Sequence, residues 1–232
     1  MTGRRLVVWR HGRTAWNAER RFQGQLDPPL DPVGARQAAA AAGLLASLGP
    51  DLLLSSDLTR ARSTAAALAE LVGLPVGHDP RLREIDLGGW QGLTAAEAAQ
   101  RFPGEYRAWV DHEDRPRGGG ETYLHVADRA EELIGERLAA VPAGGVLVAV
   151  THGGTARALL GRLLELEPGR WWRLGPLGNA SWSILTETGQ GWRLVEHNAA
   201  TPPTDALGDD AEPAVATPVA GSDPGGLARS GM

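Results

Sequence analysis

Short apolar runs alternate along the chain with longer stretches in which alanine and leucine recur at helical spacing. The runs Arg5–Trp9, Leu52–Ser55, Val76–His78, Val146–Val150, Ser181–Thr186 and Trp192–Glu196 read as strands. Each is brief, and most are bounded by Gly, Pro, Asp or Ser. The last two flank Gly189-Gln190-Gly191, which predicts a hairpin. The spacing predicts helices over Pro32–Leu48, Thr59–Val72, Thr94–Arg101, Thr122–Ala140 and Thr155–Leu164. Asp31-Pro32 supplies an N-cap and a proline suited to the first helical position, while Gly49-Pro50 and Gly73 supply stops. Strands separated by helices predict an α/β three-layer sandwich, with a mostly parallel central sheet flanked by helices. From Asp86 to Leu124 helix and loop signals occur without a strand. That stretch is expected to form a helical lid insertion over the strand ends.

Residues 1–198 therefore read as one domain, and 199–232 as something else. The tail is rich in Ala, Pro, Gly, Thr and Asp, has no aromatic residue, and sets five acidic side chains against Arg229 alone. Such a composition cannot bury enough apolar surface to offset ordering entropy, so the tail is expected to be disordered. A net charge of -5 argues against a nucleic-acid partner. The absence of cysteine removes disulfides, thiol nucleophiles and thiolate metal sites. No apolar stretch approaches the roughly 20 residues of a membrane helix, and the first strand begins too early for a signal peptide. A cytoplasmic location without membrane association is expected. There is no lysine, so arginine supplies every fixed side-chain cation.

Two histidines stand directly behind apolar runs. Arg10-His11-Gly12 follows the first predicted strand, and His152-Gly153-Gly154 follows the fourth. In open α/β sheets ligands bind beyond the carboxyl ends of strands, and arginine beside histidine points to an anion such as phosphate. Alone, Arg-His-Gly is a weak signal, and His152 is equally readable as a packed, hydrogen-bonded residue. Ser55-Ser56-Asp57-Leu58-Thr59-Arg60 opens a helix. Asp57 or Thr59 is expected to cap it, and Arg60 either faces solvent or meets an anion at the helix N-terminus. Glu84, among arginine and apolar neighbours, is either a salt-bridged surface residue or a partly buried general acid.

In their order and spacing these pieces resemble the histidine phosphatase superfamily, the clan of the cofactor-dependent phosphoglycerate mutases. The resemblance runs from Leu6 to about Asn198. It rests on Arg10-His11-Gly12-x-Thr14, Asn17, Phe22-Gln23-Gly24, Leu30-Asp31-x-x-Gly34 with Gln37-Ala38, and Ser55-Ser56-Asp57-Leu58-x-Arg60-Ala61. Leu82-Arg83-Glu84, Gly88-x-Trp90-x-Gly92, Gly119-Gly120-Glu121-Thr122 and His152-Gly153-Gly154 complete it. It implies a phosphoglycerate mutase-like fold and a phosphohistidine mechanism. His11 would be the nucleophile, with Arg10, Arg60 and His152 around the phosphoryl oxygens and Glu84 as general acid and base. Asn17, Gln23, Gly24 and Gly153 would complete the cradle, with no metal and no cofactor. Arg13 departs from the Glu or Gln frequent in the family, and is expected to face solvent.

Glu84 leads into Ile85-Asp86-Leu87-Gly88-Gly89-Trp90-Gln91-Gly92, which resembles the phosphatases of the clan rather than the mutases. Gln23-Gly24-Gln25-Leu26-Asp27 and Leu177-Gly178-Asn179-Ala180-Ser181-Trp182 resemble the actinobacterial glucosyl-3-phosphoglycerate phosphatases. The implied partner is a small phosphorylated metabolite, a sugar or glycerate phosphate. The alternatives are a phosphoglycerate mutase, an α-ribazole phosphatase-like or broad-specificity phosphatase, and a non-catalytic phosphate-binding protein. Trp109, His112, Arg115 and Arg117 are either substrate contacts or surface residues. The aliphatic and Trp-rich elements are compatible both with a homodimer and with a monomer core.

Overall fold

The computed structural model describes residues 3–201. Apart from Ala199–Thr201, the predicted acidic tail lies outside the described residues. Six strands form one sheet: β1 (Arg5–Arg10), β2 (Leu52–Ser55), β3 (Val76–His78), β4 (Val146–Thr151), β5 (Trp182–Thr188) and β6 (Gly191–Ala199). Their spatial order is β3-β2-β4-β1-β5-β6. The β3, β2, β4 and β1 pairings are parallel, and β5 and β6 add an antiparallel hairpin at one edge.

Alternation along each strand sorts the core into two layers. In β1, Leu6 and Val8 face one side while Val7 and Trp9 face the other; in β4, Leu147 and Ala149 oppose Val146, Val148 and Val150. Helices α6 (Tyr123–Leu138) and α7 (Gly153–Leu163) cover the first face through Leu133, Ile134, Leu159 and Leu160. Helices α2 (Pro32–Ala46) and α3 (Thr59–Val72) cover the second through Ala41, Leu45, Ala61 and Leu68. The expected three-layer sandwich is the observed one. Among the described residues no helix is long and apolar enough to cross a membrane.

The helix ends depart from the sequence reading in instructive ways. Asp31 caps α2 as expected, its Oδ1 accepting from the Gly34 N–H at 2.7 Å. At α3 the N-cap is Leu58, which has no side chain able to do this. The capping carboxylate comes from Asp27, which accepts from the Thr59 N–H at 2.8 Å and the Thr59 hydroxyl at 2.7 Å. Asp57 instead takes a two-pronged bond from Arg83 at 2.7 and 2.6 Å, which holds its carboxyl below the usual range. Helix α7 begins at Gly153, directly behind β4, two residues earlier than its pattern predicts.

Two short helices were not legible in the pattern: α1 (Ala15–Ala18) and α5 (Pro103–Val110). The first is built by a capping box in which Thr14 and Asn17 bond each other's backbone. With α4 (Ala95–Arg101), α5 belongs to the stretch between β3 and α6. Its rings pack as a unit with Phe22 from the loop after α1: Phe22, Tyr106 and Trp109 lie 5.3, 6.0 and 5.9 Å from the Trp90 ring. The Trp90 indole N–H donates to Glu105 at 3.0 Å.

Leu147 is fully buried at the centre of β4, between β1 and β2. Leu147→Ala is expected to lower unfolding free energy by about 2–5 kcal/mol in urea titrations. A loss under about 1 kcal/mol would mean that this layer repacks around the deletion.

Candidate active site

Because β1 and β4 run in register, with Arg10 opposite Thr151, the residues that leave the two strands emerge side by side. The His11 N–H donates to the Thr151 carbonyl at 3.0 Å, and the rings of His11 and His152 stand 5.1 Å apart. Both are buried. The pairing expected from two strand-end loops, 141 positions apart in sequence, is thus realised.

Hydrogen bonding assigns the protons on each ring. His11 Nδ1 lies 2.7 Å from the Gly12 carbonyl. A carbonyl only accepts, so Nδ1 carries the hydrogen and Nε2 keeps its lone pair when the ring is neutral. His152 is the reverse: its Nδ1 accepts from Arg60 Nε at 3.2 Å. Its Nε2 then carries the hydrogen, and that atom is buried without a partner among the described residues. An unmet buried donor beside His11 is suited to an arriving oxygen anion. Burial, and then the Arg60 charge, push both imidazoles well below their usual pKa; Arg10 acts in the same direction.

Arg60 is fully buried at the start of α3. Besides His152, it donates to the carbonyls of Gly24 and Leu26, both at 2.7 Å, and Asp27 lies 3.7 Å away. The solvent-facing alternative for Arg60 is therefore ruled out. Arg10 is also buried, and its Nη1 donates to the Leu177 carbonyl at 2.6 Å.

Glu84 sits against the start of α7, and not in a surface ion pair. Its Oε1 accepts from the N–H groups of Ile85 (2.9 Å) and Thr155 (3.0 Å), while the Thr155 hydroxyl donates to the Arg83 carbonyl at 2.7 Å. Its Oε2 accepts from the Gly154 N–H at 3.1 Å. A side chain at Gly154 would crowd this carboxylate, since an added Cβ would lie 2.8 Å from Oε1.

Arg10, His11, Gln23, Gly24, Arg60 and Glu84 share one pocket, whose remaining wall is Phe22, Ile85, Leu87 and Arg117. Gly24 adopts a left-handed φ of 54°, and there its carbonyl reaches Arg60. Gln23 accepts from the Thr14 hydroxyl at 3.1 Å. Asn17 stands behind this row: its Oδ1 accepts from the Thr14 N–H at 2.8 Å and from Asn179 at 3.2 Å. Gly153 is buried at the first turn of α7. Arg13 does not simply face solvent; its Nε pairs with Asp31 at 2.8 Å.

The sequence reading missed the support beneath Arg10 and His11. The segment Leu177–Trp182 grips them from the far side of β1. The Ala180 N–H donates to the His11 carbonyl at 3.0 Å, Asn179 reaches the same carbonyl at 3.4 Å, and Ser181 accepts from the Arg10 N–H at 2.9 Å. Similarly, the Thr64 hydroxyl accepts from the Gly12 N–H at 3.1 Å. No local spacing signals these contacts, because the partners meet only when β5 adds to the sheet and α3 packs on it. Of the four lid candidates, Arg117 alone lines the pocket with His11. Trp109 belongs to the ring cluster, His112 stacks on Trp172 at 4.7 Å, and Arg115 is exposed and paired with Glu113.

Comparison with known proteins agrees with this geometry. Residues 6–200 match the family model of the histidine phosphatase superfamily (branch 1). The glucosyl-3-phosphoglycerate phosphatase of Mycobacterium tuberculosis is 45% identical over 193 residues, which span 80% of this chain and 86% of that protein. The metal-independent phosphoserine phosphatase of Arabidopsis thaliana is 36% identical over 191 residues, 81% of this chain and 78% of the other. The structure of a mycobacterial glucosyl-3-phosphoglycerate phosphatase complexed with VO3 superposes with a TM-score of 0.80 at 44% identity, covering 85% of this chain and all of that one. The chain belongs to the histidine phosphatase superfamily, branch 1.

Proposed function

We propose that this phosphatase hydrolyses a small phosphomonoester through a phosphohistidine on His11, with Glu84 moving the protons. The observation that carries the reading is the neutral imidazole whose Nδ1 hydrogen is tied to the Gly12 carbonyl beside two buried guanidiniums. The Nε2 lone pair attacks phosphorus while the bond from phosphorus to the alcohol oxygen breaks. The imidazole gains positive charge, which the Gly12 carbonyl stabilises through the Nδ1 hydrogen. Arg10, Arg60 and the His152 Nε2–H hold the three phosphoryl oxygens as their charge redistributes. The departing alkoxide takes a proton from the Glu84 carboxyl. Oε1 already accepts two backbone hydrogen bonds and Oε2 only one, so Oε2 is the oxygen that carries this proton. Water then attacks the phosphohistidine, Glu84 takes its proton, and the N–P bond breaks to release phosphate and neutral His11.

The relatives narrow the substrate. Glucosyl-3-phosphoglycerate and phosphoserine share a skeleton, a three-carbon acid phosphorylated on its third carbon, and differ in the group on the second. That skeleton is the proposed substrate class here, with the glucosyl form favoured by the higher identity of the first relative. Transfer of the phosphoryl group to a second hydroxyl of the substrate, and not to water, would instead mark a mutase.

Rapid quench with a labelled phosphomonoester should yield acid-labile, hydroxylamine-sensitive phosphate on wild-type protein and none on His11→Ala. His11→Ala is expected to lose at least about 1,000-fold in kcat. A fully active His11→Ala protein would end this reading. Glu84→Gln is expected to lose about 100- to 10,000-fold, least for esters whose alcohol is already acidic. An equal loss for p-nitrophenyl and alkyl phosphates would remove Glu84 from the acid role.

The histidine shifts fix a pH dependence. Both rings are neutral in the folded protein well below pH 6.5, whereas the unfolded chain protonates them near that value. The unfolded state then binds more protons, so stability falls as pH drops below about 6.5, until the folded pKa values are reached. Carbon-detected NMR titration of the phosphate-free protein should place both imidazole midpoints below 6.5. A midpoint for His11 at or above that value refutes the assigned electrostatics.

A further inference from the structure

Arg117 is the pocket cation that the chemistry above leaves unused. It is 5% exposed, and its Nη2 is buried without a hydrogen-bond partner among the described residues. No carboxylate pairs with it there; its guanidinium carbon lies 5.0 Å from the centre of the Tyr123 ring. A cation–π contact orients a guanidinium but leaves its in-plane N–H groups unmet. A buried cation with an unmet donor is costly unless an anion arrives to meet it.

The surrounding backbone holds Arg117 in place. The Gly118 N–H donates to Glu105 at 2.6 Å, the carboxylate that also holds Trp90, and the Gly118 carbonyl accepts from the Gly89 N–H at 2.9 Å. On the following helix, the Tyr123 N–H donates to Asp114 at 2.6 Å. Arg117 is therefore pinned on both sides, not carried on a loose loop. Phe22, Ile85 and Leu87, which complete the wall, bring no charge. Arg10 and Arg60 stand beside His11 at the phosphoryl end, where they face up to two negative charges. Glu84, the carboxyl on the same wall, is the protonated acid of the proposed first step, so Arg117 is left to a negative charge on the alcohol half of the ester.

We infer that Arg117 is a specificity-determining residue that binds a carboxylate on the alcohol portion of the substrate. This rests on the phosphatase reading above. Its planar fork suits bidentate pairing with a carboxylate, and the unmet Nη2 supplies one of the two bonds.

The test is a matched pair of esters, 3-phosphoglycerate and glycerol 3-phosphate, which differ only in a carboxylate against a hydroxymethyl group. Wild-type protein should have the higher kcat/KM for the carboxylated ester. Arg117→Met should reduce the ratio of the two kcat/KM values about 10- to 100-fold, chiefly through KM for 3-phosphoglycerate. Arg117→Lys should recover part of that ratio, since it keeps the charge and loses the fork. An unchanged ratio overturns the inference, as does an equal fall for both esters, which would place Arg117 on the phosphoryl group or in lid folding. If Arg117→Met does not fold, the wild-type ratio and Arg117→Lys still decide: no wild-type preference, or no change in Lys, overturns it. Wild-type protein inert on both esters and on p-nitrophenyl phosphate would refute the phosphatase reading itself, whereas activity on all three without carboxylate preference refutes only the role of Arg117.

Discussion

Arg60 is held wholly out of water, and its donors draw three separate parts of the chain together, the loop after α1, the end of β4 and its own helix α3. It takes the carbonyls of Gly24 and Leu26 from the loop after α1, and the ring of His152 from the end of β4. Asp27 from the same loop both faces this charge at 3.7 Å and caps α3, the helix on which Arg60 is carried. The charge cannot be neutralised by deprotonation. Burial first, and then its field, push both imidazoles well below their usual pKa. One buried cation thus ties together the loop conformation, the start of a helix and the electrostatics of the proposed nucleophile. Shortening it would leave two carbonyls and an imidazole nitrogen unpaired in the interior, which is why its structural and chemical roles do not separate.

The second constraint is register. The two histidines meet because Arg10 lies opposite Thr151 in a parallel pair. A slip of one residue would turn Leu6 and Val8 toward the layer that now receives Val7 and Trp9, so burial on both faces enforces the alignment. The other side of β1 is held by β5 and by the turn before it, whose Leu177 carbonyl and Ala180 N–H fix Arg10 and His11 directly. The proposed nucleophile is thus clamped from both neighbouring strands. That is the rigidity phosphoryl transfer needs when catalysis rests on positioning and fixed charge.

How much of this was legible in the chain depends on the range of each interaction. All six strands follow from short apolar runs, and α2 and α3 from a cap, a proline and glycine stops that act within a few residues. His11, Arg60 and Glu84 are local candidates at strand ends and a helix start, but only the family resemblance chooses among the alternatives that local signals leave open. What failed was long-range. Asp27 caps a helix that begins at Thr59, and Asp57, the nearer acid, is diverted to Arg83. Arg13 is drawn to Asp31 from across the first loop. The Leu177–Ala180 grip on Arg10 and His11 spans well over half the chain. The fate of the lid arginines turned on packing alone: Arg115 and Arg117 are two residues apart in sequence, yet one is exposed and the other nearly buried.

The pocket joins two kinds of wall with different origins. The cationic half comes from a strand end and a helix start of the sandwich, Arg10 and His11 at the end of β1 and Arg60 from α3, with the His152 ring 5.1 Å from that of His11. The other half comes from the stretch between β3 and α6, through Ile85, Leu87 and Arg117, with Phe22 packed against its rings. A phosphoryl group presents the same three oxygens whatever alcohol it leaves, so the first half has no reason to vary with substrate. On the proposed reading the second half faces the alcohol, and it lies in a segment that the sheet does not need for closure. This division fits relatives that share the fold but are named for different phosphoesters, one a glucosylated acid and one an amino acid. Glu84 stands at the seam, anchored by the first turn of α7 on the sandwich side and followed at once by Ile85 on the lid side. A seam position, in reach of both walls of the pocket, suits the acid-then-base role proposed for Glu84.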